Sequence, residues 1–255
     1  MTMRPIPVLL YHRIDTSGVP GSTPPAMFER HLAWLADRGY RTLTLEAFEH
    51  ALRTASVPAR SLLITFDDGS ADLASVAAPI LRLYGFGAVA FVITGWISGE
   101  RGFHGESLRW NDARQLAAEG RIEFQSHSHS HALWPVNATA GQEIAADLGA
   151  SIDTLCAEMR VPRAEIRHLA WPWGRCDTRW ETTAKRVGLK YQYLVQRGAV
   201  TRPGRSLRLP RLCFDGADCG SLARWMTLLD STIGARVTNQ IFGAVRERRH
   251  SFGYR

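Results

Sequence analysis

Seven short apolar runs recur along the chain: PVLLY (7–11), YRTLTL (40–45), SLLITF (61–66), GAVAFVI (87–93), IEFQ (122–125), HLAW (168–171) and YQYLV (191–195). Most are continuous, as in strands covered on both faces. Helical patterns lie between them. Residues 25–38 put Phe28, Leu32 and Leu35 on one face and stop at Gly39. Residues 71–84 follow the TFDDGS turn, 111–119 run to Gly120, and 139–160 are rich in Ala, Glu and Leu. Thr178-x-x-Glu181 reads as a capping box opening a helix that closes at Val187 and Gly188. Repeated strand–helix units predict a parallel sheet covered by helices. About seven or eight such units suit a distorted (β/α) barrel of the TIM-like α/β class better than an open sheet. A length of 255 residues is ordinary for one such domain. The expectation is one catalytic domain over 1–255, with the barrel core at about 7–215 and a basic helix and tail at 220–255.

In a barrel, functional residues collect where strands end. Tyr11-His12 follows VLL, Asp67-Asp68-Gly69 follows LLITF, His127 follows IEFQ, and Trp171-Pro172-Trp173-Gly174 follows HLA. All four would face one mouth.

Composition bounds the function classes. Hydrophobic residues at 45% and charged residues at 22% fit a globular protein with a sizeable core. The net charge of +7 could serve an acidic partner. The arginines are scattered, however, and only RERRHSFGYR at the end is a cluster. That predicts a solvated face, no nucleic-acid partner, and a tail that could touch a membrane surface peripherally. The four cysteines, Cys156, Cys176, Cys213 and Cys219, form no CxxC pair, which argues against a thiolate zinc site and a disulfide framework. IPVLL (6–10) is too short for a signal core or a membrane span. The expected location is therefore cytoplasmic or peripheral to the inner membrane, and extracytoplasmic if the chain is a trimmed piece.

The chemistry concentrates in two stretches. FQSHSHSHALW (124–134) places His127, His129 and His131 at alternate positions. On a strand at ~3.3 Å per residue the outer two would lie roughly 13 Å apart. One ion with bonds of ~2.0–2.1 Å could not bridge them. Either the chain turns here, or the cluster is not one metal site. The adjacent Asp67 and Asp68 pose the second problem. Burying two carboxylates together without a cation raises a pKa or costs several kcal/mol. A divalent ion removes that conflict, with one Asp as ligand and the other as base. The plainer alternative makes one Asp the cap of a helix starting near Ser70–Asp72, with Gly69 in the turn. A carboxylate, two imidazoles and a water make a catalytic zinc-type set with an open position.

TFDDG (65–69), H-S-x-S-H (127–131) and WPWG (171–174) resemble the first three motifs of the polysaccharide deacetylases, the NodB-homology enzymes of carbohydrate esterase family 4. VLLYHRI (8–14), with FERHLAWLADRGYRTLTL (28–45) behind it, resembles more narrowly the poly-N-acetylglucosamine deacetylase subgroup. The resemblance implies a distorted (β/α) barrel and metal-dependent removal of acetyl groups from sugars. It implies Asp68, His127 and His131 as metal ligands, Asp67 as general base, and the backbone N–H of Trp173 as an oxyanion donor. The metal would be zinc first, with nickel, cobalt or iron as other candidates. His129 would point away and be replaceable.

Two departures stand out. The late L-x-H motif that carries the acid in most of the family is absent. The subgroup resemblance assigns that role to His12 instead. The family's arginine two residues before the third-motif proline is also missing; Ala170 stands there, which leaves open what orients Asp67. Aromatic faces stack on sugars, so Trp134 and Trp173 are candidate cleft residues, with Pro172 beside them as a substrate contact. Trp96, Trp110 and Trp171 also fall near loops, and the loop at 16–25 either borders the cleft or only connects.

The expected function is a metal-dependent hydrolase that removes N-acetyl groups from N-acetylhexosamine units of a glycan, such as an exopolysaccharide or its precursor. The alternatives are a hydrolase of another amide, non-sugar or cyclic, on the same fold, and a carbohydrate-binding pseudoenzyme.

Overall fold

The computed structural model describes residues 3–249 apart from 101, 103–104, 135–139 and 202–207. In chain order its elements are β1 (Ile6–Tyr11), α1 (Pro25–Asp37), β2 (Arg41–Thr42), α2 (Leu45–Thr54), β3 (Ser61–Phe66), α3 (Ala78–Leu83, entered through a π-turn), β4 (Ala88–Val92), α4 (Thr94–Ile97) and α5 (Trp110–Ala118). There follow β5 (Ile122–Ser126), α6 (Ala140–Met159), β6 (His168–Ala170), α7 (Thr178–Val187), β7 (Tyr191–Val195), β8 (Ala199–Val200), β9 (Arg208–Cys213), α8 (Cys219–Leu229) and α9 (Thr232–Arg249).

Seven strands close a ring in the order β1-β3-β4-β5-β6-β7-β9 and back to β1, and each neighbouring pair is parallel. Closure leaves the ring without an open edge. β2 adds to β3 outside the ring, and β8 runs antiparallel to β1. The pleat sorts the strand residues into two cores. Val8, Leu63, Val89 and Phe91 belong to an inner cluster that takes in Leu45, Phe48 and Leu52 of α2. Leu9, Tyr11, Ile64, Phe66, Ala90 and Val92 belong to the layer beneath the other helices. β1 and β3 are buried at every residue, which is why their sequences are continuous apolar runs.

Three sequence expectations need correction. The run at 40–45 is not one strand: only Arg41–Thr42 pairs, and Thr44 then accepts a hydrogen bond from Ala47 N to cap α2. The cap of α7 is Asp177, whose side chain accepts from Arg179 N, so the capping box centred on Thr178 is displaced by one residue. The strand that closes the ring, β9, has the sequence RLPRLC, and its Pro210 hid it from a pattern reading. Residues 220–249 are helical apart from a short break, and 250–255 of the basic tail lie outside the described residues. Among the described residues no helix is long and apolar enough to cross a membrane. The four cysteines are free.

Candidate active site

Because the ring strands are parallel, the residues that follow them share one mouth. At the end of β3 the strand ladder continues one residue further, with Asp67 N donating to Tyr11 O at 3.0 Å. The chain then turns through positive φ at Asp68 (72°) and Gly69 (93°), and both carboxylates stay near His127 Nε2, with Asp67 Oδ2 at 3.8 Å and Asp68 Oδ1 at 3.4 Å.

Asp67 is 2% exposed and faces Arg211, which is fully buried. Arg211 Nη1 donates to Asp67 Oδ1 at 2.6 Å and Nη2 to Oδ2 at 2.6 Å, a two-pronged pair. Nη1 also reaches Thr65 Oγ1 at 3.3 Å, and the guanidinium lies 5.5 Å from the Phe91 ring centroid. Burial alone would raise the Asp67 pKa. The charge of Arg211, helped by His127 and the Arg211 hydrogen bonds, brings it down to about 2. Asp67 is thus a carboxylate at neutral pH. Arg211 answers the question left by Ala170: the orienting arginine comes from β9, on the far side of the ring in sequence.

The histidine stretch turns as one metal site would require. β5 ends at Ser126, and the backbone takes positive φ at Ser128 (67°) and His131 (53°). The turn is tied internally. Ser128 N donates to Ser126 Oγ at 3.1 Å, and His131 N to Ser128 Oγ at 2.9 Å. Asp147 accepts from His129 N and Ser130 N, both at 3.0 Å. The rings of His127 and His131 come within 4.9 Å, centroid to centroid. His127 Nδ1 donates to the Ala170 carbonyl at 2.8 Å, which turns Nε2 toward Asp68 Oδ1 at 3.4 Å. His131 Nε2 stands 3.8 Å from the same oxygen. Burial and the neighbouring His127 hold the His131 pKa down to about 4. Burial would raise the Asp68 pKa, but hydrogen bonding and charge from His127 lower it.

The ligand atoms of Asp68, His127 and His131 lie within 4.8 Å of one another. His127 Nε2 and Asp68 Oδ1 face each other across 3.4 Å, a spacing that a shared cation would fit. A carboxylate oxygen and two imidazole nitrogens fit a divalent ion. His129 points elsewhere, its Nδ1 3.0 Å from Thr94 Oγ1 and its Nε2 3.0 Å from Glu100 Oε2.

His12 leaves β1 beside Asp215, which follows β9. The ring Nδ1 donates to Asp215 Oδ2 at 2.6 Å, and His12 N donates to Oδ1 at 3.0 Å. Burial would lower the His12 pKa. The hydrogen bond and charge of Asp215, with Asp67 and Asp68, outweigh it and raise the pKa to about 9. His12 is therefore an imidazolium with Nε2–H left to donate. The loop at 16–25 passes this residue: a Cβ added to Gly21 would lie 3.6 Å from His12 Cβ. Sequence reasoning missed both Arg211 and Asp215. Their signal was the RLCFD stretch, polar residues flanking a short apolar pair, in a strand interrupted by proline.

After β6 the chain adopts left-handed backbone at Trp173 (φ 59°) and Gly174 (φ 59°). Gly174 is required here, since an added Cβ would sit 2.4 Å from Val195 Cγ2. Trp173 is 60% exposed, and its ring lies 5.0 Å from that of His131. The other two proposed substrate contacts are buried. Trp134 is 7% exposed and packs edge-on against Trp171 and Trp180, so its faces belong to the core. Pro172 is buried. Trp96 and Trp171 are core residues as well.

One mouth thus gathers three side chains that could hold a cation, a buried carboxylate beside them and a histidine paired with Asp215, group types that acyl transfer to water uses. The family model described as polysaccharide deacetylase matches residues 54–192. A poly-beta-1,6-N-acetyl-D-glucosamine N-deacetylase of Staphylococcus aureus is 29% identical over 212 residues, covering 80% of this chain and 72% of its own. Among solved structures, the Streptococcus pyogenes deacetylase PplD in complex with acetate superimposes with a TM-score of 0.77 at 24% identity, covering 88% of this chain and 99% of that one. IcaB from Ammonifex degensii gives 0.77 at 21% identity, covering 89% and 98%.

Proposed function

The chain belongs to the polysaccharide deacetylase family, and on that premise we propose that it hydrolyses the N-acetyl groups of N-acetylhexosamine units in a glycan. Poly-β-1,6-N-acetylglucosamine is the first substrate to test, from the name of the Staphylococcus aureus relative. The observation that carries the proposal is the convergence at one mouth of the Asp67–Arg211 pair, the Asp68/His127/His131 triad and the His12–Asp215 pair.

The geometry supports the following division of roles. Asp68, His127 and His131 would hold one divalent ion, zinc by donor type, with nickel, cobalt or iron as other candidates. When bound, it supplies a Lewis acid for the acetyl carbonyl and lowers the pKa of the attacking water. Asp67 takes the proton from that water, and Arg211 keeps its carboxylate ionised and aimed. His12 returns a proton from Nε2 to the leaving amine, its Nδ1 being engaged by Asp215. The N–H of Trp173 serves the oxyanion, a contribution of ~2.7–4 kcal/mol where single donors have been removed. The exposed Trp173 indole offers a face for a sugar ring. The basic stretch RERRHSFGYR supports peripheral contact with an anionic surface.

The test is acetate release from short N-acetylglucosamine oligomers of defined linkage, run against a panel of non-sugar and cyclic amides. His12→Ala should bind metal normally and lose activity. Cleavage of another amide in preference to every oligomer would reassign the substrate, and full activity in that variant would remove His12 from its role.

A further inference from the structure

Cys213 has no part in the chemistry above, yet it stands at the same mouth. It ends β9 two residues after Arg211, on the same face of the strand. Its Sγ–H donates to Asp215 Oδ2 at 3.0 Å, the oxygen that also accepts from His12 Nδ1 at 2.6 Å. The candidate ligand atoms of His12, Cys213 and Asp215 lie within 4.8 Å of one another. Neighbouring strands hold them in register: Leu10 pairs with Cys213, and Phe214 N donates to Leu10 O at 3.0 Å. Asp215 Oδ1 is held by His12 N, which keeps Oδ2 turned toward the other two groups. Cys213 is exposed, so an ion can reach it from solvent.

We propose that His12 Nδ1, Cys213 Sγ and Asp215 Oδ2 form a second cation site, separate from Asp68/His127/His131, at which excess Zn²⁺ or Co²⁺ inhibits the enzyme. One sulfur, one imidazole and one carboxylate are the donor set of such borderline ions. Bonds of ~2.0–2.3 Å in a tetrahedral arrangement space the ligand atoms roughly 3.3–3.6 Å apart. The two hydrogen-bonded contacts, at 2.6 and 3.0 Å, therefore need to open by less than about 1 Å. Coordination releases the thiol proton and the Nδ1 proton to water. Binding at the second site displaces two protons, so it fills at metal excess. A metal on Nδ1 replaces the imidazolium with a neutral ring that holds its Nε2 proton far more tightly, and it takes Asp215 away from that ring. The inhibition rests on His12 being the proton donor; the binding does not.

The enzyme carrying one equivalent of Co²⁺ is titrated with more Co²⁺. A second equivalent should produce a near-ultraviolet thiolate-to-cobalt band and lower the rate roughly 100-fold, the lower end of what a positioned acid contributes. Cys213→Ser and Cys213→Ala should keep basal activity, bind only the first equivalent, show no band and resist inhibition. Absence of the band in the wild type at metal excess, or its persistence in Cys213→Ser, overturns the site. A band without loss of rate overturns the inhibition and the role of His12 with it, leaving metal binding intact.

Discussion

Replacing Arg211 with methionine isolates what the buried pair contributes. Both Arg211–Asp67 contacts are 2.6 Å, between groups at 0% and 2% exposure. Removing one partner of such a pair leaves an uncompensated buried charge and costs about 3–5 kcal/mol. At ~2–4 °C per kcal/mol for chains of this size, Tm should fall by roughly 6–20 °C. The loss should depend on pH in a defined direction. Asp67 is held at about 2 when folded, below its unfolded value of ~3.9. The stability it contributes is therefore present above ~3.9 and lost as pH falls toward 2. The wild-type advantage over Arg211→Met should shrink over that window. Arg211→Lys should not restore activity, because one ammonium cannot reproduce two parallel bonds. The assay is urea and thermal unfolding of wild type, Arg211→Met, Asp67→Asn and the double variant. The double variant should be more stable than the two single losses predict by more than about 1 kcal/mol. Additive losses, or a Tm within about 2 °C of wild type for Arg211→Met, would refute the reasoning.

Three further outcomes are expected. The rate kcat/KM should hold up to about pH 9 and fall above it as the His12 imidazolium loses its proton, and Asp215→Asn should bring that limb down toward ~6.5 in a pH–rate profile. His129→Ala should bind a full equivalent of metal by elemental analysis and lose less than about 1 kcal/mol, since its partners are Thr94 and the exposed Glu100; His131→Ala should lose the metal. Gly174→Ala should lose about 1–3 kcal/mol together with activity, because its Cβ collides with Val195 and shifts the Trp173 backbone, as unfolding and initial-rate measurements would show.

Much of this fold could be read from the chain because a covered parallel strand is a short apolar run and its reactive residues follow at once. That logic found His12, Asp67, Asp68 and His127 at strand ends. It failed at β9, where Pro210 and two arginines interrupt the apolar pattern, and so it missed both Arg211 and Asp215. These two act across the ring on residues about 144 and 203 positions earlier, a pairing visible only once the barrel has closed. The alternation of His127, His129 and His131 looked like a strand, but hydrogen bonds to Ser126, Ser128 and Asp147 convert it to a turn. Trp134 misled for another reason: position near a loop does not report burial, and its indole closes the core against Trp171.

The central claim is that Asp67, beside the Asp68/His127/His131 triad, drives hydrolysis of an N-acetyl group. It is tested most directly by incubating the metal-loaded protein and its Asp67→Asn variant with β-1,6-linked N-acetylglucosamine oligomers, and measuring acetate and free amine together. The account predicts one acetate per amine from the wild type, none after chelation, and none from a variant that still binds its metal. Fully metal-loaded wild type that releases no acetate, or Asp67→Asn that releases it at the wild-type rate, would contradict it.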